Sequence, residues 1–95
     1  MNMEQLAKEL IYKWNPKMTG SIELGGESIT LTKEELDGNY VSDEELDKMP
    51  DSILVNSFTF DEDAVICIIT DDRQETVFWH GIIVRGNLLW TGHEL

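Results

Sequence analysis

Apolar positions near the start of the chain recur at intervals of three and four: Met3, Leu6, Ala7, Leu10, Ile11 and Trp14. That spacing predicts a helix of about three turns whose apolar stripe packs on a sheet. Asn2 can cap its start with Gln5 as the reciprocal partner, and Asn15-Pro16 stops the run. After Lys17-Met-Thr-Gly20, the segment Ser21-Ile-Glu-Leu-Gly-Gly-Glu-Ser-Ile-Thr-Leu31 reads as two short extended pieces parted by Gly25-Gly26, where a bulge or tight bend is expected. Thr32-Lys-Glu-Glu-Leu36 and Ser42-Asp-Glu-Glu-Leu46 each set a hydroxyl before first-turn acids, an arrangement that favours a helix start. They predict two short acidic helices, or one helix interrupted at Gly38-Asn39. From residue 52 the period falls to two. Residues 52–60 alternate, 64–70 are β-branched and apolar, and 75–84 and 88–91 are again extended. Turns fall at Asp61-Glu-Asp63, Asp71-Asp-Arg-Gln74 and Arg85-Gly-Asn87. The pattern predicts an α+β fold: an antiparallel sheet of about five strands, an N-terminal helix and one or two short acidic helices, in a single domain over residues 1–95.

Length and composition narrow this only slightly. Ninety-five residues with 41% hydrophobic content can bury one modest core and do not read as disordered. No stretch approaches the roughly 20 apolar residues of a membrane span, and the N-terminus lacks a signal-peptide pattern, so a cytoplasmic location is expected. The C-terminal Gly92-His93-Glu94-Leu95 resembles an ER-retention tail, an address that is not read without a secretory signal. Cys67, the one cysteine, lies in the apolar run Ala64-Val-Ile-Cys-Ile-Ile69 and reads as a buried small hydrophobe.

Charge changes the picture more. The formal charge is −12, and it is concentrated: from Glu23 to Asp63 there are 13 acidic residues against Lys33 and Lys48, a net of −11. Such a field repels nucleic acid and anionic membranes and orients basic protein surfaces. An acidic run is often no more than a solvated face; the asymmetry here favours a basic partner.

Candidate chemistry is sparse. His80 lies between Trp79 and Gly81 on an extended segment, where a structural or surface histidine is the simpler reading, and His93 sits in a tail. Asp61-Glu-Asp63 and Asp71-Asp72 lack calcium-loop spacing and serve as turns. Gly25-Gly26 has neither the pattern nor the Lys of a phosphate loop. These features point away from an enzyme, a metal site or a cofactor and towards a binding module.

The ordered motifs carry a more specific resemblance. An N-terminal helix, a strand with Glu27-Ser28-Ile29, an acidic segment with Glu34-Glu35-Leu36, then Ile53-Leu54-Val55, Thr70-x-Asp72, Trp79 and Ile82-Ile83-Val84 follow one another as in the phage uracil-DNA glycosylase inhibitor family, which the chain resembles over nearly its whole length. It departs from that pattern in about five extra residues between Ile29 and Ile53, in Lys33 where the family has Pro, and in Asn56 where the family has His. The resemblance implies a DNA mimic: a strand edge and acidic side chains occupy the glycosylase's DNA-binding groove, and an apolar pocket receives the leucine that the enzyme pushes into the duplex. On this chain it implies that Glu27, Ser28 and Ile29 meet the groove and that Glu34 or Glu35, with Glu44 or Glu45, extend the acidic track. It further implies that Leu31, Leu36 and Leu46 line the pocket with Cys67 and Ile69. The expected assembly is a 1:1 heterodimer of glycosylase and a protein that is monomeric when free, in the host cytoplasm if phage-encoded, without direct nucleic-acid or membrane contact. For the apolar residues the alternative is ordinary core, and for Glu27-Ser28 an ordinary strand edge. At the level of function the alternatives are an acidic mimic aimed at another DNA-binding protein (a CRISPR nuclease, restriction enzyme or transcription factor), an immunity-type protein that neutralises a basic toxin, and a small hydrolase using His80.

Overall fold

Helix α1, Met3–Trp14, forms where the apolar spacing places it. The Asn2 side chain accepts the Gln5 backbone N–H at 3.1 Å, and the chain leaves the helix at Asn15. The Gln5 side chain is directed at Glu9 instead of closing a reciprocal cap. The computed structural model describes residues 2–17, 23–36 and 40–92.

Five strands follow in chain order, β1 (Gly25–Thr32), β2 (Ser52–Asp61), β3 (Ala64–Thr70), β4 (Val77–Val84) and β5 (Asn87–Gly92). They form one antiparallel meander in which each pairs with the next, so β1 and β5 are the edges. The fold class is α+β, as the alternation predicts.

Alternate side chains of each strand point to opposite faces, and both faces are covered. Met3, Ala7, Leu10 and Ile11 of α1 pack on Phe58, Phe60, Ile66, Ile68, Val77 and Ile82. Trp14 meets Phe60 edge-on, with centroids 6.1 Å apart. On the opposite face, Val41, Leu46 and Met49 pack on Ile53, Ile69 and Trp79. Each such side chain removed from water contributes about 1.5–3 kcal/mol, so β3, apolar on both faces, is the axis of the domain. A register shift at Thr70 leaves Phe78 as an extra residue between Val77, which joins the α1 core, and Trp79, which joins the other.

The expectation at Gly25-Gly26 is corrected. The two glycines begin one unbroken strand whose register runs from Gly25 opposite Thr59 to Thr32 opposite Ser52, with no bulge. They serve packing instead: a Cβ on Gly26 would stand 2.7 Å from the Phe58 ring, which lies over it. An aromatic covering an edge glycine restores contact that the missing side chain cannot make. Of the earlier extended piece, Ser21 and Ile22 lie outside the described residues, and Glu23 and Leu24 are not in a strand.

The two acidic segments differ. Lys33–Leu36 makes one turn of 3-10 helix, whereas Asp43–Asp47 is α-helix α2. Ser42 closes a full capping box with Glu45. Thr32 does not act as such a cap. It is still paired in β1, its hydroxyl and N–H both donate to Glu35, and the Lys33 N–H donates to the Asp51 carbonyl at 3.1 Å. The segment begins tied to β2 and stays short. Gly38-Asn39, the anticipated interruption, lies outside the described residues.

Candidate partner-binding site

Three features converge on the sheet face away from α1. The first is the β1 edge. Among the described residues β1 is hydrogen-bonded to β2 alone, and seven of its eight residues are exposed. Register puts Glu27 opposite Ser57, Ile29 opposite Val55 and Leu31 opposite Ile53, on the face away from α1, and Ser28 opposite Asn56 on the α1 face. Ile29 is 48% exposed, large for an isoleucine on a face otherwise covered. Edge strands are commonly blunted by Lys, Pro or a bulge, and β1 contains none of these. The opposite edge does carry a bulge, which leaves Leu89 unpaired between Leu88 and Trp90.

The second feature is an apolar recess of about 240 Å³. Val55, Cys67, Ile69, Trp79 and Ile83 form its floor on β2, β3 and β4, and Leu36, Tyr40 and Val41 its rim. The floor depends on Gly81, where a Cβ would meet the Trp79 ring at 2.5 Å; without a side chain there, the indole lies flat across β4. The Trp79 indole N–H is buried with no acceptor among the described residues. The rim is fastened by Tyr40, whose hydroxyl donates to the Gly86 carbonyl at 2.8 Å. That carbonyl belongs to a two-residue turn with both Arg85 and Gly86 at positive φ, the geometry that matches strand twist. Burial pushes the Cys67 thiol up from its ordinary pKa, and contact with the Ser57 hydroxyl at 3.6 Å partly opposes this. Cys67 is thus half-buried at a recess floor, more accessible than the core position its sequence context predicts.

Third are the acids. Glu35 is held by Thr32 and Glu45 by the Ser42 capping box, so the exposed carboxylates of Glu34 and Glu44 are the ones directed outward. Lys33, a cation inside this acidic stretch, stands 3.8 Å from Asp51. Glu27 adjoins a shallow depression of about 480 Å³ with Gly25, Gly26, Ser57, Thr59 and Val65.

The residues that sequence reasoning singles out are thus partly brought together. Leu36, Cys67 and Ile69 share the recess. Leu46 is core beside it, and Leu31 is half-buried opposite Ile53, off the recess. Sequence reasoning missed Val55, Trp79 and Ile83, although period-two alternation puts them on the same face as Ile69. It had no signal for Tyr40 and Val41, whose position comes from the tether to Gly86. It also missed a buried polar cluster on the other face: Asn56 and Thr70 are fully buried and join Ser28 to Gln74. Asp71 orders the adjoining turn. Its carboxylate accepts the Thr76 and Glu75 backbone N–H groups, which hold its pKa below the usual range.

His80 is buried with its ring 5.1 Å from that of Trp90. Among the described residues, no group of three His, Cys, Asp or Glu side chains is placed to hold a metal ion, and no helix is long and apolar enough to cross a membrane. Comparison with protein families, curated proteins and solved structures finds no match to the chain.

Proposed function

We propose that the protein is a DNA-mimicking inhibitor that binds the DNA-binding groove of uracil-DNA glycosylase and blocks uracil excision. The observation that carries this reading is a juxtaposition: a strand edge that is unpaired among the described residues and bears Glu27-Ser28-Ile29 adjoins an apolar recess whose rim includes Leu36 of the turn that carries Glu34, while α2, which carries Glu44, packs on the same face through Leu46. A groove built for DNA offers Arg, Lys and backbone N–H groups to phosphates and an apolar side chain to the base stack. Here carboxylates and strand carbonyls stand in for the phosphate row, and the recess takes the inserted leucine. Burying that leucine contributes about 1.5–3 kcal/mol. A folded scaffold also avoids the bending and base-flipping that real DNA requires. The net charge of −12 speeds encounter, while the apolar insertion slows release.

The test is uracil release from DNA by purified glycosylase preincubated with the protein. Equimolar protein is expected to abolish excision, and full excision at about tenfold excess rules the reading out, leaving another basic DNA-binding or toxin partner.

A further inference from the structure

The Ser28 hydroxyl sits on the proposed contact edge, and the chemistry it can offer a partner is fixed by groups behind it. Five hydrogen bonds determine its polarity. The Ile68 carbonyl can only accept, so the atom of the Asn56 amide 3.0 Å from it must be the nitrogen, Nδ2. The same nitrogen lies 3.2 Å from Thr70 Oγ1, whose own proton is directed to the Asp71 carbonyl at 2.9 Å. Both Asn56 donors are then occupied, and its Oδ1 faces the opposite way as an acceptor. Two groups converge on that oxygen: Ser28 Oγ at 2.7 Å and Gln74 Nε2 at 2.6 Å. An amide oxygen has no proton to give, so Ser28 must spend its only proton inward. Its remaining lone pairs are left for a partner, on a residue that is exposed.

The geometry points to Asn56 as a positioning residue that converts Ser28 into an obligate hydrogen-bond acceptor, matched to a donor on the partner such as a guanidinium, an ammonium or a backbone N–H. This rests on the reading of β1 as the contact edge. A free serine hydroxyl turns to suit whatever it meets; a wired one discriminates. It accepts from a basic groove as a phosphate oxygen does, and it cannot satisfy a partner carbonyl or carboxylate. Gln74 completes the device from the β3–β4 turn. It holds Asn56 Oδ1 from the second side, and its backbone is at φ 58°, in the left-handed region that non-glycine residues seldom adopt. The network is fully connected and its centre is buried, the condition under which such wiring is rigid.

The wiring is read first in the free protein, whatever the partner. By NMR, the Asn56 side-chain amide protons should exchange with solvent far more slowly than those of an exposed asparagine. Ser28→Ala should shift both the Asn56 and the Gln74 side-chain amide resonances. Fast exchange, or an Asn56 amide indifferent to Ser28→Ala, overturns the proposal. The second reading is a double-mutant cycle against uracil-DNA glycosylase. Gln74→Gly suits it better than a change at buried Asn56, because glycine tolerates φ 58° and the fold is kept. Ser28→Ala is expected to loosen the complex about tenfold, Gln74→Gly about threefold with an unchanged melting temperature, and the pair about tenfold. A double variant weakened by the full product, about thirtyfold, shows that Gln74 does not act through Ser28 and overturns the proposal. If the unaltered protein does not bind glycosylase at all, the functional reading fails, and the exchange measurement alone decides the wiring.

Discussion

Cys67 occupies the floor of a recess proposed to receive a partner's side chain, and its thiol is raised by desolvation. The unfolded chain ionises this group first as pH rises. Its contribution to stability is therefore fully present below the ordinary thiol pKa and is lost as pH climbs towards the higher folded value. Melting temperatures from about pH 7 to 10 should fall more steeply for the unaltered protein than for Cys67→Ala; parallel curves would show that burial of the thiol is immaterial. At this scale legibility was uneven. Leu36, Cys67 and Ile69 were expected together and line one recess. Val55 and Trp79 stand out in the sequence as landmarks of the family resemblance, but nothing there assigns them to the recess. Asn56 interrupts the apolar inward positions of β2 between Leu54 and Phe58. A polar residue there signals a buried network, but its partners Ser28, Thr70 and Gln74 come from other elements and could not be named from spacing.

Elements were easier to foresee where a local rule coincided with the tertiary one. The three-and-four spacing of α1 matches its burial, and the β-branched run of β3 matches a strand covered on both faces. Thr32-Lys-Glu-Glu and Ser42-Asp-Glu-Glu present the same local signature and reach different ends. Ser42 is free to cap, whereas Thr32 is held in the β1 ladder and Lys33 is bonded to Asp51. Strand pairing, invisible to a local motif, decided between them. Because α2 has only five residues, too few for a helix that is stable alone, its cap matters. Ser42→Ala should cost about 1 kcal/mol, seen as a fall of about 4–8 °C in melting temperature. An unchanged melting curve would mean that packing of Leu46 and Met49 holds the segment without the capping box.

Across the whole molecule, charge divides between the two faces of the sheet. Helix α1 carries Glu4, Glu9, Lys8 and Lys13 in balance, while the 3-10 turn and α2, which cover the opposite face, carry Glu34, Glu35, Asp43, Glu44, Glu45 and Asp47 against Lys33. Among the described residues, the ion pairs Lys8–Glu4, Lys33–Asp51 and Arg85–Asp63 are surface contacts of 3.8–3.9 Å that leave this asymmetry in place. The excess was plain from composition; its gathering on one face required the topology. The unblunted β1 edge has a further consequence, for the colloidal behaviour of the protein. A strand of eight residues with one side unpaired among the described residues is a template for any other strand, including the same strand of a second copy. Mutual repulsion between acidic molecules guards it at neutral pH, and that guard vanishes as the solution approaches the isoelectric point near 4.2. Light scattering should therefore rise as pH is lowered from about 7 towards that value. A Lys at position 29 should suppress the rise by interrupting edge-to-edge pairing, and equal scattering from the two proteins would place self-assembly elsewhere on the surface.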